Sequence, residues 1–164
     1  MSVQQFGNAF NYTTSKGQLN IDVDNGYNEC INFSGAFQYN LTFGSGAFQY
    51  NLTFGSGAYQ GNLTFGSNAY QDNISFGSGA YQNSLTFGSG AIQSNISFGS
   101  NARQSNLTFG IGAGQSNLTF GSNANQFYIT FGSGANQQSI TFGSNARQKN
   151  LTFAEYSQLD LIDL

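Results

Sequence analysis

The apolar and polar positions of this chain recur with a period of eleven residues over most of its length. Each unit reads A-x-Q-x-N-L-T-F-G-S-(G/N), and eleven units follow one another without interruption between Ala36 and Phe153. Gln and Phe recur in every unit, whereas the residues after Ala and after Gln vary freely. An 11-residue pattern that keeps its phase through so many copies is typical of repeat proteins. In these proteins a unit is stable only when it packs on neighbours that offer the same surface.

Each unit predicts one β-strand followed by one turn. The central Asn-Leu-Thr-Phe contains β-branched and aromatic residues that favour strands. The Gly of each unit, with a second Gly or an Asn, would interrupt a helix about every third turn. A strand of about seven residues and a turn of about four fit the unit instead. Gly57 and Asn68 occupy the same turn position, because both residue types tolerate a left-handed backbone.

The two faces of the strand require a bend. Strict alternation would put Leu, Phe and the two variable positions on the same face. Variable positions are expected to contact solvent, whereas Leu and Phe are expected to be buried. We therefore predict a bend or bulge near the Asn of each unit. Before the bend Ala and Gln point inward, and after it Leu and Phe point inward while Thr points outward.

Two units are predicted to form one coil, because a coil of eleven residues would leave little room for inward Leu and Phe. The sequence supports a 22-residue coil, since Ile74 and Ile96 lie 22 positions apart, as do Asn101, Asn123 and Asn145. The predicted fold is thus an all-β solenoid of eleven 11-residue repeats. The alternative is an antiparallel β-meander or barrel, in which each turn closes a hairpin.

The predicted solenoid divides the chain into three parts. Residues 1–32 are aperiodic and are expected to form an N-terminal capping segment, residues 33–153 the repeat array, and residues 154–164 a C-terminal cap or tail. Stacked coils align each residue with its copy about 4.8 Å away, so ladders of Phe rings and of Gln and Asn amides are expected. The ladder positions include Phe54, Phe65, Phe76, Phe87, Phe98, Phe109, Gln49, Gln60, Gln71, Gln82, Gln93 and Gln104.

Composition removes several classes of function from consideration. The chain has 22 Gly, 7% charged residues, a formal charge of −3, one Cys and no His. A basic stripe for phosphates is missing, so we expect no nucleic-acid partner. No segment has the roughly 18 apolar residues of a membrane span. Without a nucleophile–base pair or a metal-ligand cluster, we expect no catalytic residues, no metal site and no cofactor.

The array over residues 33–153 resembles the curlin-type subunits of functional amyloids. The resemblance rests on the spacing of Gln49, Asn51 and Gly55 and on its recurrence. It implies two strands of about eleven residues per coil, Gln and Asn ladders, and Gly-rich turns. The alternating Asn-x-Ala-x-Val-x-Gln phrase of that family is missing here, and Phe and Thr or Ser occupy its place in every unit.

Three functional hypotheses follow from these observations. The first is a non-enzymatic structural subunit that associates with itself into a fibre, extracellular matrix or surface layer. The second is an adhesive or carbohydrate-binding module that contacts a polysaccharide through a run of outward aromatic residues. That run comprises Phe37, Phe48, Tyr59, Tyr70 and Tyr81. The third is a module that binds ice or another solid surface through its Thr row.

The chain ends bear on localisation. The first residues, MSVQQFGNAF, lack the basic start and apolar run of a cleaved secretory signal. The closing LDLIDL is similar to the uncleaved C-terminal signals of type I secretion substrates, although a capping strand is the alternative. We expect an extracellular or cell-surface protein, exported by an unconventional or type I-like route or present as the mature form of a secreted chain.

Overall fold

The described part of the chain contains sixteen strands joined by short turns. The computed structural model describes the backbone of residues 2–6, 9–14, 20–23, 27–33 and 37–163, and the side chains of residues 31–33 and 40–163. In chain order the strands are β1 (Ser2–Phe6), β2 (Ala9–Thr14), β3 (Asn20–Val23), β4 (Tyr27–Phe33), β5 (Phe37–Phe43), β6 (Phe48–Phe54), β7 (Tyr59–Phe65), β8 (Tyr70–Phe76), β9 (Tyr81–Phe87), β10 (Ile92–Phe98), β11 (Arg103–Phe109), β12 (Gly114–Phe120), β13 (Asn125–Phe131), β14 (Asn136–Phe142), β15 (Arg147–Phe153) and β16 (Gln158–Asp163).

The strands form two sheets between which the chain alternates. The nine-stranded sheet has the order β1-β2-β4-β6-β8-β10-β12-β14-β16, and the seven-stranded sheet has the order β15-β13-β11-β9-β7-β5-β3. Neighbours pair in parallel, except that β1 and β2 are antiparallel. The predicted β-solenoid with two units per coil is confirmed, and the antiparallel meander or barrel is wrong. Among the described residues there is no helix, and hence none that could cross a membrane.

The strand register places copies of the same repeat position side by side. In β8 and β10, Gln71 lies beside Gln93 and Phe76 beside Phe98. The same register continues into both flanking segments, since Ile31 of β4 lies beside Leu52 and Ile162 of β16 lies beside Ile140. The parallel stack therefore extends beyond the bounds that the repeat pattern predicts for the array.

The core lies between the two sheets, and the burial of the described side chains follows the predicted faces. In the repeat units between Ala47 and Phe142, the Ala, Gln, Leu or Ile, and Phe side chains are all buried. Apart from the buried Gly61 of β7, the third and fourth residues of the strands from β6 to β14 are more exposed, so two neighbouring side chains both face outward there. The third residue also has no partner in the strand register. These two features locate the predicted bend at the residues between Gln and Leu.

Two columns of phenylalanine rings run through the core. Phe54, Phe76 and Phe98 stack in the nine-stranded sheet with ring centroids 4.8 Å apart. Phe65 and Phe87 stack in the seven-stranded sheet with centroids 5.0 Å apart. The rings are nearly parallel, because the coil rise sets both their spacing and their orientation. Each column is continuous, so a change in one ring affects the rings above and below it.

The turns explain why one position holds Gly and another holds Gly or Asn. In the turn after β10, the Ala102 N–H donates to the Gly99 carbonyl at 3.2 Å, and Asn101 has a φ of 60°. Gly79 has a φ of 68° at the corresponding position of the coil before. Such a left-handed backbone favours Gly and Asn. At Gly99 the requirement is space, because an added Cβ would lie 2.7 Å from the backbone nitrogen of Ser78.

Candidate functional surfaces

The alternation between sheets divides the predicted aromatic run between two opposite outer faces. Phe48 and Tyr70 lie on the nine-stranded sheet, with ring centroids 5.6 Å apart. Tyr59 and Tyr81 lie on the seven-stranded sheet, with centroids 5.1 Å apart and an interplanar angle of 2°. Phe37 belongs to β5, but its side chain lies outside the described ones. Five consecutive units therefore give two short aromatic columns, and neither is a five-residue platform.

The glutamines form hydrogen bonds that differ from the predicted amide ladder. Gln93 Nε2 donates to the carbonyl of Asn95 at 2.8 Å and to the carbonyl of Asp72 in the preceding coil at 3.0 Å. The same bond to the carbonyl two residues ahead recurs for every described Gln at this position of the repeat, at Gln49, Gln60, Gln71, Gln82, Gln93, Gln104, Gln115, Gln126, Gln137 and Gln148. Each Gln thus supplies a donor to a carbonyl at the bend.

The oxygen of the same amide contributes no comparable bond. Among the described residues, the Oε1 atom of Gln93 is buried and accepts no hydrogen bond, and the other nine behave alike. A buried amide oxygen without a donor costs about 1–3 kcal/mol. The net contribution of each Gln to the stability of the fold is therefore the free energy gained from the Nε2 hydrogen bonds less the cost of the unpartnered Oε1.

We expect Gln93→Met to lower the free energy of unfolding by about 1–2 kcal/mol. Methionine has a similar volume, but it removes the donor from the Asn95 and Asp72 carbonyls. The loss is limited because the unpartnered Oε1 is removed as well. Urea unfolding followed by circular dichroism measures the change. Ser94→Ala is the control, since it alters the half-buried outward neighbour of Gln93. Equal stability of the Met variant and the native chain would contradict the proposed role of Nε2.

Asparagine forms the amide ladder that the sequence predicts, and it does so on the outer face. Asn73 Nδ2 donates to Asn51 Oδ1 at 3.1 Å, Asn95 to Asn73 at 2.9 Å, and Asn117 to Asn95 at 2.9 Å. This ladder crosses four strands of the nine-stranded sheet. On the seven-stranded sheet the same column is interrupted, because Ser84 and Tyr128 replace Asn.

A continuous threonine column lies on the outside of the seven-stranded sheet. It consists of Thr42, Thr64, Thr86, Thr108, Thr130 and Thr152. The corresponding column of the nine-stranded sheet is mixed, with Ser75 and Ser97 beside Thr53 and Thr119. Within these two columns each strand carries one outward hydroxyl group, and neighbouring hydroxyl groups are about 4.8 Å apart.

A third outer surface, which the repeat analysis missed, lies on β11, β13 and β15. It consists of Arg103, Asn125, Phe127, Tyr128, Arg147 and Lys149, and we name it the basic aromatic surface. Phe127 and Tyr128 are 41% and 46% exposed, and both basic residues of β15 are exposed as well. Arranging the freely variable positions by the 22-residue coil places Arg103, Asn125 and Arg147 in one column, which is the signal for this surface in the sequence.

The basic aromatic surface borders a concavity. A polar cavity of about 590 Å³ is lined by Asn123, Asn125, Asn145, Ala146 and Arg147. Asn123 and Asn145 come from stacked turns, whereas Asn125 and Arg147 begin the strands that follow them. The lining therefore offers amide groups and a guanidinium at two successive coils.

The last coil is less completely covered than the others. Ile140 is fully buried in β14, but its in-register neighbour Ile162 in β16 is 39% exposed. Leu151 and Phe153 of β15 are only partly buried, unlike their copies in earlier coils. Within the described residues, β15 and β16 each pair on one side only. Two sheet edges and the end of the core thus lie together at the C-terminal end.

Side chains that could bind a metal ion are sparse among the described residues. Within the described ranges, no three His, Cys, Asp or Glu side chains lie close enough together to hold a metal ion. Comparison with known proteins finds no matching family model, no similar curated protein and no similar solved structure. A function can therefore be proposed only from the surfaces and the coil end described above.

Proposed function

We propose that this protein is a non-enzymatic structural subunit that associates with itself into a fibre, extracellular matrix or surface layer. The observation that carries the proposal is the C-terminal coil end, where β15 and β16 each pair on one side only within the described residues. Unpaired strand edges are templates for further strands. The occupant that we propose for this end is another copy of the same chain.

The in-register stack supports a second copy as the partner. Inside the molecule, every described coil between β4 and β16 already packs against a coil with the same repeat positions. Ile162, Leu151 and Phe153 continue core columns that are fully buried one coil earlier. A further coil would bury their remaining apolar surface, which favours association by about 25 cal/mol per Å². The contacts of assembly would then repeat the contacts of folding.

The two ends of the stack favour a directional assembly. The C-terminal end presents the parallel strands β15 and β16, whereas at the other end β3 is the outermost strand of its sheet. A contact between unlike ends extends into a filament unless its rotation closes a ring. A contact between two C-terminal ends would stop at a dimer. The size of the assembly distinguishes these two modes.

We expect Ile162→Lys to abolish self-association while the chain stays folded. The Ile162 side chain continues a core column at the open end, so a charge there would be buried by the next copy without a partner. In the unassembled chain the lysine can reach solvent, because position 162 is 39% exposed. Sedimentation velocity and negative-stain electron microscopy measure the assembly, and circular dichroism measures folding.

Leu161→Lys is the matched control for this substitution. Leu161 is 57% exposed and lies beside Ser139 on the outer face, so it is not part of the core column. This variant should assemble like the native chain. Assembly that persists in Ile162→Lys, or a native chain that stays monomeric, would contradict the proposal. Thermal hysteresis of the native chain would instead favour ice binding through the threonine column.

A further inference from the structure

We propose that the basic aromatic surface binds an acidic, carboxylated polysaccharide. Such binding goes beyond self-association, because the surface lies on the outside of the seven-stranded sheet and shares only β15 with the open coil end. The surface occupies three neighbouring strands of the seven-stranded sheet, β11, β13 and β15. At about 4.8 Å per coil it extends roughly 10 Å along the stack. A chain-like ligand running along the stack would contact all three strands.

The charge distribution supports an anionic ligand. The chain as a whole carries a formal charge of −3, yet Arg103, Arg147 and Lys149 all lie on the outside of the seven-stranded sheet. Within the described residues, none of the three forms an ion pair. Three cations without partners on one face create a local positive potential that attracts anions.

The acidic residues whose side chains are described lie elsewhere. Asp72, Asp160 and Asp163 belong to strands of the nine-stranded sheet, and Glu155 lies in the turn after β15. The two sheets are separated by a core about 10 Å thick. At physiological salt, interactions between exposed charges are screened over about 8 Å. The carboxylates on the opposite face therefore do little to cancel the positive potential.

The neighbouring groups indicate a sugar rather than a bare anion. Phe127 and Tyr128 are consecutive residues at the bend of β13, and both side chains face outward. Exposed aromatic side chains offer apolar contact area for the C–H faces of sugar rings at low entropic cost. The cavity beside them is lined by Asn123, Asn125 and Asn145, whose amides can donate to and accept from hydroxyl groups.

Arg147 joins the two parts of the surface. It lines the cavity and also belongs to the column in which Asn125 separates it from Arg103. A guanidinium binds a carboxylate through two parallel hydrogen bonds, which fixes orientation as well as charge. Three cations over three coils suit a polymer with well-separated carboxylates. A nucleic acid carries a charge on every nucleotide and needs a denser basic groove.

The test measures binding of alginate oligosaccharides to the full chain by isothermal titration calorimetry. All proteins in the comparison carry Ile162→Lys, so that assembly adds no avidity. Failure of the proposed self-association would leave this test intact, because a monomer binds through the same surface. We expect saturable binding that weakens with added salt. Replacing both basic residues of β15, as Arg147→Gln with Lys149→Gln, should lower the affinity about tenfold or more.

Substitution of aromatic residues distinguishes the contribution of sugar-ring contacts to alginate affinity from the contribution of charge. Tyr128→Asn introduces the residue found at the same position in β11 and β15, so folding should be unaffected. It should weaken alginate binding roughly threefold to tenfold. Tyr70→Asn, on the opposite face, should leave the affinity unchanged. Thermal melting of each variant provides the folding control.

Several results would overturn the inference. These are no binding of alginate, equal binding of neutral dextran, or tighter binding of single-stranded oligothymidylate. Unchanged alginate affinity in the double variant would exclude this surface as the site. Loss of binding in Tyr70→Asn would move the site to the nine-stranded sheet and equally contradict the proposal.

Discussion

Gly99→Ala is expected to destabilise the solenoid by about 3 kcal/mol or more. The added Cβ would lie 2.7 Å from the Ser78 nitrogen and 2.8 Å from the Gly77 carbonyl carbon, both backbone atoms of the preceding coil. Backbone cannot move aside as the end of a side chain can, so the two turns must separate. The Gly99 N–H bond to the Phe76 carbonyl at 2.8 Å would be strained at the same time.

Two further glycines supply matched controls for Gly99→Ala. Gly114 begins β12, and an added Cβ there meets nothing within 4 Å. Gly114→Ala should therefore be neutral or stabilise by about 0.4–1 kcal/mol, because it reduces the entropy of the unfolded chain. Gly79 also has open space but a φ of 68°, so Gly79→Ala should cost about 1 kcal/mol.

Thermal and urea unfolding of the three alanine variants would separate these causes. A lower midpoint or a second transition is expected for Gly99→Ala, since a stack of repeats can lose cooperativity where two coils separate. Similar losses in Gly99→Ala and Gly114→Ala would mean that close turn packing does not determine the choice of glycine.

Phe98→Asp is expected to prevent folding or to split the array in two. Phe98 is 2% exposed, and its ring lies 4.8 Å from that of Phe76 and 5.0 Å from that of Phe120. The aspartate would place an unpaired charge in the centre of this column. The loss should be about 4 kcal/mol or more, a large part of a typical stability of about 5–15 kcal/mol.

Ser97→Asp is the control for the buried charge. Ser97 is exposed on the outer face of the same strand, and its column already contains Asp163 in the last coil. Its effect on stability should be within about 0.5 kcal/mol. Circular dichroism and thermal melting compare the two variants. An unchanged melting temperature in Phe98→Asp would contradict burial of the phenylalanine column.

The sequence by itself determined the strands, the turns and the inward faces. Strand alternation and turn geometry depend on a few neighbouring residues, and the same residue types recur in eleven successive units. The freely variable residues identified the outside, and the conflict with strict alternation located the bend. Traces such as Ile74 and Ile96 gave the 22-residue coil, which the register then confirmed.

Only the tertiary structure decided what each Gln bonds to and how close the turns lie. Gln93 bonds to backbone carbonyls because the bend orients a carbonyl of its own coil and one of the preceding coil toward Nε2. The repeat pattern cannot show this, since it gives no position for a carbonyl in another coil. Gly99 is likewise required by the backbone of Ser78, which lies 21 residues earlier in the chain.

The tertiary structure also decided which exposed residues share a surface. Tyr70 and Tyr81 belong to consecutive units but lie on opposite sheets, whereas Arg103 and Arg147 are 44 positions apart and lie on one face. All four residues occupy the first position of a strand, so the local sequence pattern does not distinguish them. Their grouping follows from the coil, which places each residue beside those 22 positions before and after it.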